Sequence, residues 1–336
     1  MFLKVQPLSS LLLPFQFRLS VMPSARLAHI ILTMINTTKA WCRGVRQPLK
    51  GLLQLTRYRE YVLFVAVTTL LGAKFGGGVF DIRLLTVFVA NILVVGFAFM
   101  YNDVEDAPDD ALDAKKAQRN PISAGMISPR MGKLACALVG LLVLGLYGTL
   151  GGMTFLLGAL CLALAFLYSW RVARLKAVPV ADLISHSLSL AGLQFLCAYF
   201  AFNQGQPYSW TFFLFTVMIS VYGELNNELR DIEVDKKAGI RHTADLIGVK
   251  WTKVLMVISL AIAVVMLGVF LWMEMIPLWL LIVPLVLAPM MCAEQLWNIL
   301  SRKAHVLNDR EAMHDPVILI GLITVMTWFI SDKIVL

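Results

Sequence analysis

Apolar residues in this chain run in long unbroken blocks, and polar residues collect between them. A helix that crosses a bilayer needs roughly 20 mostly apolar residues. That length predicts nine spans, near 60–75, 84–101, 133–152, 153–169, 179–202, 208–228, 251–272, 276–296 and 316–332. Gly140 and Pro284 fall inside such blocks, where membrane helices tolerate them. Barrel strands would be shorter and would alternate apolar with polar positions. The pattern predicts an all-α polytopic membrane protein.

Composition narrows the class. Of 336 residues, 59% are hydrophobic and 15% charged, against about 45–50% and about 25% in soluble domains. A soluble fold could not hide so much apolar surface, and a disordered chain would be polar and poor in aromatics. A net charge of +8 would point to nucleic acid in a soluble domain. Here it reports topology, and no nucleic-acid partner is expected. With the N-terminus inside, 26 of the 29 Lys and Arg lie on the inner side, and only Lys74, Arg83 and Lys333 lie opposite. This asymmetry places the N-terminus and the even-numbered loops in the cytoplasm of a cell membrane, or in its equivalent for an organelle.

The first 59 residues carry no acid; Glu60 is the first. This basic tail, 1–59, is open to three readings: an organelle transit segment, an interfacial helix with Arg43, Arg46 and Lys50 on anionic lipid, or a start at Met22 or Met34. The reading carried forward is a tail that is interfacial or partly disordered, ahead of a transmembrane domain over 60–336. The five cysteines, Cys42, Cys136, Cys161, Cys197 and Cys292, show no paired spacing, and four lie in apolar blocks. They are read as small buried hydrophobes.

The acids are distributed unevenly. Of 21, six fall between Asp103 and Asp113 and five between Glu224 and Asp235. Both groups sit on the inner side where a span ends. A charge at the bilayer centre costs at least about 2.5–3.5 kcal/mol, so these groups mark a wet cavity or headgroup-level loops. Asp103, Asp106 and Asp110 share one helical face, although Pro108 predicts that the helix stops short and leaves Asp110 in a loop. Glu224, Glu228, Asp231 and Asp235 form a second stripe, flanked by Asn226 and Asn227. Crowded carboxylates repel unless a cation neutralises them, and all-oxygen ligands suit magnesium or calcium rather than zinc. Magnesium completes its octahedron with water and substrate phosphate, so the two clusters suggest a bound diphosphate. Cations follow each cluster: Lys115, Lys116 and Arg119 after the first, Lys236, Lys237 and Arg241 after the second. Arg171, Arg174 and Lys176 fill the loop after span four. The stretches Asp113–Arg119 and Asp235–Arg241 look alike, as an internal repeat would. Asp182 and His186, spaced i, i+4 near the inner end of span five, form either a local pair or the groups that orient an acceptor and collect its proton.

These motifs resemble those of the UbiA superfamily of intramembrane prenyltransferases. Asn102, Asp103, Asp106 and Asp110 match the first motif, N-D-x-x-D-x-x-x-D. Asp231 and Asp235 match the last acids of the second, with Asn227 where its leading acid stands and Arg230 at its aromatic. Arg119 to Gly125, Tyr168-Ser169 with Arg174 to Lys176, and Asp235 to Gly248 are similar to further family segments. The resemblance covers about 60–335. It implies a nine-transmembrane-helix bundle whose inner-side loops cap a central cavity. Magnesium would be held by Asn102, Asp103, Asp106, Asp110, Asn227, Asp231 and Asp235. The diphosphate of a polyprenyl donor would meet Lys115, Lys116, Arg119, Arg174, Lys176, Lys236 and Arg241. Asp182, His186 and Tyr168 are the candidate catalytic residues, and Asn91, Phe97, Tyr101 and Tyr222 the candidate cavity lining. Ionisation gives an allylic cation, which aromatic faces can stabilise and a lipophilic acceptor attacks. Aromatic or quinone precursors are the first expectation for that acceptor, then a carotenoid, chlorophyllide or glycerol-phosphate lipid. Asp109-Asp110-Ala-Leu-Asp113 also fits the D-D-x-x-D of soluble polyprenyl synthases, which the composition opposes. A divalent-cation or small-molecule transporter is the non-enzyme rival; it would carry acids midway along its spans.

Overall fold

The computed structural model describes residues 33, 46–203, 209–237, 241–293, 297 and 310–334, with the backbone alone at 209, 231, 233–237, 310–314 and 332–334. Most of the basic tail, including Cys42, lies outside the described residues. Packing divides the chain into Met1–Gly51 and Leu52–Leu336, and the helices below all belong to the second unit. They are α1 (Val62–Phe75), α2 (Ile82–Asp110), α3 (Ala114–Arg119), α4 (Pro129–Gly148), α5 (Gly152–Ser169), α6 (Ala181–Ser187), α7 (Leu193–Phe200), α8 (Ser209–Lys237), α9 (Thr243–Trp272), α10 (Ile282–Met291) and α11 (Arg310–Ile334). A π-helical turn, Leu188–Gly192, joins α6 to α7.

Among the described residues, each of the nine apolar blocks coincides with a helix. Five stretches are long and apolar enough to cross a membrane: α2, α4, α5, α6 continued through α7, and α9. Val62–Phe75, Leu278–Met291 and Asp315–Ser331 are apolar but shorter. The count of nine spans is therefore a property read from the sequence. Outward-facing Leu138 and Leu141 of α4 and Val257, Val264 and Val265 of α9 are exposed. Apolar belts of this kind suit lipid rather than water.

Inside, α2 packs on α4 and α5, α1 on α7 and α11, and α8 on α9. Helices in lipid gain little from the hydrophobic effect, so close approach and shared hydrogen bonds must hold them together. Both devices are present. Gly72 on α1 and Gly76, which caps it one turn later, lie against the backbone of Phe195 and Tyr199 on α7, where a Cβ would collide with the carbonyls of both. Asn91, fully buried on α2, donates to Thr69 Oγ1 of α1 at 2.7 Å and to the Gln194 carbonyl of α7 at 3.0 Å, and accepts from Tyr147 OH of α4 at 2.7 Å. One amide thus ties four helices.

The expectation that Asp110 leaves the helix is corrected. α2 runs through Pro108 to Asp110. The following loop supplies donors to the interrupted turn: Asn120 Nδ2 to the Asp103 carbonyl and Ser123 Oγ to the Ala107 carbonyl, each at 2.7 Å. The carbonyl that Pro108 leaves without its helical donor is that of Val104, while Ala107 still receives the Ala111 amide; the helix passes the proline, and the third aspartate keeps its place on the motif's face.

Candidate active site

The inner end of α2 presents Asn102, Asp103, Asp106 and Asp110. Asp103 is only 1% exposed. Its Oδ1 lies 3.5 Å from Arg57 Nη1, and its Oδ2 is buried without a hydrogen-bond partner. Arg57 adopts a left-handed conformation (φ 49°), which turns its guanidinium inward, over the Phe99 ring at 4.6 Å. Glu60 holds it by two hydrogen bonds, at 2.7 and 2.6 Å. Burial works against the Arg57 charge, but Glu60 and Asp103 outweigh it and hold the group above its ordinary value. Asp110 Oδ2 accepts from Asn120 Nδ2 at 2.9 Å.

The loop after α5 closes over the same carboxylates. Arg174, also left-handed (φ 38°), opens a 3-10 turn, Leu175–Ala177, that buries Lys176. Lys176 Nζ donates to Asn102 Oδ1 at 2.8 Å and to Asp106 Oδ2 at 2.5 Å. Burial pulls the Lys176 ammonium below the ordinary lysine value, with Asp106 opposing that pull. Arg174 reaches Asp106 and Asp109 at 3.7 and 3.5 Å, and Arg171 reaches Asp109 at 3.3 Å. Ser169 Oγ at the end of α5 is 3.1 Å from Asn102 Oδ1. Each of these oxygens is a hard donor of the kind magnesium takes, and Asp103 Oδ2 is one that has no hydrogen-bond partner. By donor chemistry the motif fits magnesium, which would share Asn102 Oδ1 and Asp106 Oδ2 with the Lys176 ammonium.

The second stripe lies on α8 and divides by partner. Glu224 meets His186 of α6 and Tyr168 of α5, with Nε2 at 3.2 Å and the phenol oxygen at 3.5 Å. Asn227 Nδ2 adds a 3.4 Å contact to the same carboxylate. Glu228 and Asp182 instead cap α9. The amide of Thr243 donates to Asp182 Oδ2 at 2.8 Å, and that of Ala244 to Glu228 Oε2 at 2.7 Å. The first amides of a helix lack intrahelical partners, and its N-terminus favours negative charge, so two spans hold a third through its end. Thr243 Oγ1 also donates to Asp182 Oδ1 and accepts from Val180 N–H. Val180 has φ 69°, a costly conformation for a β-branched residue. The ligand atoms of Asp182, Glu228 and His242 lie within 4.8 Å of one another, close enough for a cation, although both carboxylates already serve α9.

Other candidates are dispersed. Asp182 and His186 do not form the local pair: each turns to its own partner. Phe97 and Tyr101 stack at 5.8 Å, and Tyr101 stacks on Phe166 at 4.8 Å, a ladder packed between α2 and α5. Asn91 sits in the helix knot, and Tyr222, Lys115, Arg119 and Arg241 are exposed. Lys116 is partly buried, and its amide helps Asp113 cap α3. The side chains of Asp231, Asp235 and Lys236 lie outside the described residues, though α8 carries all three positions. Arg57, Asn120, Glu224 and Thr243 are site groups that motif reading left unassigned. Asn120 lies inside the quoted stretch Arg119 to Gly125 and Glu224 heads the carboxylate stripe, so both had a signal.

Comparison with known proteins shows the family and the fold. The model of the UbiA prenyltransferase family matches residues 64–311. A 4-hydroxybenzoate octaprenyltransferase of Yersinia enterocolitica is 28% identical over 237 residues, 69% of this chain and 76% of the relative. A digeranylgeranylglyceryl phosphate synthase of Methanopyrus kandleri is 28% identical over 180 residues, 52% of this chain and 62% of the relative. Among solved structures, a UbiA homologue from Archaeoglobus fulgidus bound to GPP and Mg2+ superposes with a TM-score of 0.64 at 20% identity, covering 82% of this chain and 97% of that one. The apo homologue from Aeropyrum pernix gives 0.62 at 18% identity, covering 81% and 98%. With its helical fold, its buried aspartate motif and a family match over most of its length, the chain belongs to the UbiA family of prenyltransferases.

Proposed function

We propose that this integral membrane prenyltransferase moves the prenyl group of a polyprenyl diphosphate to a lipophilic acceptor, an aromatic or quinone precursor, through an allylic cation, with magnesium as cofactor. The observation that carries the reading is the inner end of α2, where buried Asp103 keeps one oxygen unpaired beside Asn102, Asp106 and Asp110. These residues, with Asn227, Asp231 and Asp235, would hold magnesium. When bound, the metal supplies charge neutralisation to the diphosphate as its carbon–oxygen bond breaks. The UbiA homologue bound to GPP and Mg2+ supports this assignment. Lys176 and Arg174 stand at the carboxylates of the first motif, where diphosphate oxygens would arrive, and Lys115, Lys116, Arg119, Lys236 and Arg241 are the further cations that would meet them. Fixed cations aimed at a leaving anion lower the barrier without reorganising. The active face lies on the cytoplasmic side.

A glycerol-phosphate lipid is the second acceptor reading, favoured by the similarity to a digeranylgeranylglyceryl phosphate synthase. The test is transfer from radiolabelled prenyl diphosphate by the purified protein in lipid nanodiscs. Product should require magnesium and vanish with EDTA. Asp103→Asn and Asp231→Asn should each lower turnover at least ~100-fold in protein that still inserts. Near-normal rates in both variants would refute the metal assignment, and ion flux without product would favour a transporter.

A further inference from the structure

The first motif already carries cations of the chain itself, and two of them are attached in different ways. Arg57 has a partner outside the motif: Glu60 takes two of its N–H groups, and its contact with Asp103 Oδ1 is long, at 3.5 Å. Lys176 has shorter bonds, and both go to oxygens that a metal on this motif would take, Asn102 Oδ1 at 2.8 Å and Asp106 Oδ2 at 2.5 Å. A flexible four-carbon stem joins that ammonium to the backbone, and the backbone itself is anchored. Arg171 donates to the Glu105 carbonyl of α2 at 3.1 and 2.8 Å, and the Val180 amide donates to Thr243 Oγ1 of α9 at 2.7 Å. The loop can stay in place while the ammonium changes partners.

A metal–oxygen bond of about 2.1 Å would bring a dication within about 5 Å of an ammonium on the same two oxygens, where like charges repel. The two therefore compete. The Lys176 side chain is only 9% exposed, so an ammonium displaced there needs another anion beside it. On the magnesium reading above, we infer that Lys176 is an exchangeable counter-ion: it pairs with Asn102 and Asp106 until magnesium arrives, yields them, and passes its ammonium to the donor's diphosphate. Metal and donor then depend on one another. Metal alone strands the ammonium, whereas metal with diphosphate gives it a new partner. The motif stays neutralised before either ligand binds.

The test is binding, read without turnover. Mn2+, a paramagnetic substitute for magnesium, is titrated into the protein in phosphatidylcholine nanodiscs, with and without geranyl S-thiolodiphosphate as a slowly ionising donor analogue. The EPR signal of free Mn2+ reports occupancy. In the wild type the analogue should tighten Mn2+ binding ~10–100-fold. Lys176→Met and Lys176→Gln, which leave both oxygens to the metal, should bind Mn2+ without analogue at least ~10-fold more tightly than wild type, and the effect of the analogue should shrink. Lys176→Arg, which keeps the charge, should stay near wild type. Lys115→Met, which removes an exposed cation of α3, should leave analogue-free binding unchanged. A merely structural role for Lys176 predicts the opposite sign, since a loosened loop weakens the site. Unchanged or weaker analogue-free binding in both neutral variants would overturn the proposal, as would equal tightening in Lys176→Arg. So would a wild type that binds Mn2+ equally well with and without the analogue. A wild type that binds no Mn2+ even with the analogue would instead remove the magnesium reading itself.

Discussion

Lys176 is the cation most firmly built into the site, with its ammonium divided between Asn102 and Asp106. Lys176→Met keeps the length of the side chain and removes the charge. It should lower kcat/KM by roughly 100-fold through lost stabilisation of the leaving diphosphate, with yield and melting temperature close to wild type; radiolabelled transfer and a thermal melt check the two halves. Recovery of full activity would show that the diphosphate lies elsewhere. At this scale the sequence was partly readable. Asn102, Asp103 and Asp106 declared themselves because i, i+3 spacing puts them on one face whatever the neighbours do. Arg57 did not, because its contact with Asp103 spans 46 residues and depends on a left-handed backbone that leaves no periodic trace. Asp182 and His186 misled in the opposite way. Their i, i+4 spacing suggested a pair, whereas the partners that separate them, Thr243 and Glu224, come from other helices.

Helices in this protein cross at points marked by small residues. Gly72→Ala should place a methyl against the Phe195 carbonyl, and the crowding should cost about 1–3 kcal/mol, seen as a lower melting temperature in detergent. Gly145→Ala on α4 meets open space and should leave the melt unchanged or raise it slightly. Equal effects from the two would refute the close crossing of α1 and α7. The helices themselves were legible because apolar blocks near 20 residues admit few other structures in lipid. Their ends were less so. Pro108 argued for an early stop at α2, yet the helix runs two residues past it, and the bonds from Asn120 and Ser123 that tie the next loop to it are invisible in a linear pattern. The four-helix bond network of Asn91 was likewise hidden, since one polar residue in an apolar block looks the same whether it faces a cavity or three neighbours.

For the whole molecule, the charge asymmetry makes a topological claim. With Cys42 replaced, the described cysteines are buried, so single cysteines can report sidedness. Lys115→Cys and Val79→Cys, both exposed, should be labelled by a membrane-impermeant thiol reagent from opposite faces of sealed vesicles, Lys115→Cys from the cytoplasmic one. Labelling of both from one face would break the proposed topology. The span from Ala181 to Phe200 carries a further consequence. α6 faces α8 and the polar centre, whereas α7 is clasped by α1 and α5, and the wide turn at Leu188–Gly192 lies between them. A π turn holds one residue more than an α turn, and one residue rotates a helix by about 100°. The turn thus sets the face that α6 turns to α8 apart from the face by which α7 is held between α1 and α5. Residues 181–187 and the crossings of α7 are thereby set by different neighbours, α8 for the first and α1 and α5 for the second. A span divided in this way answers to two sets of neighbours, one at each end.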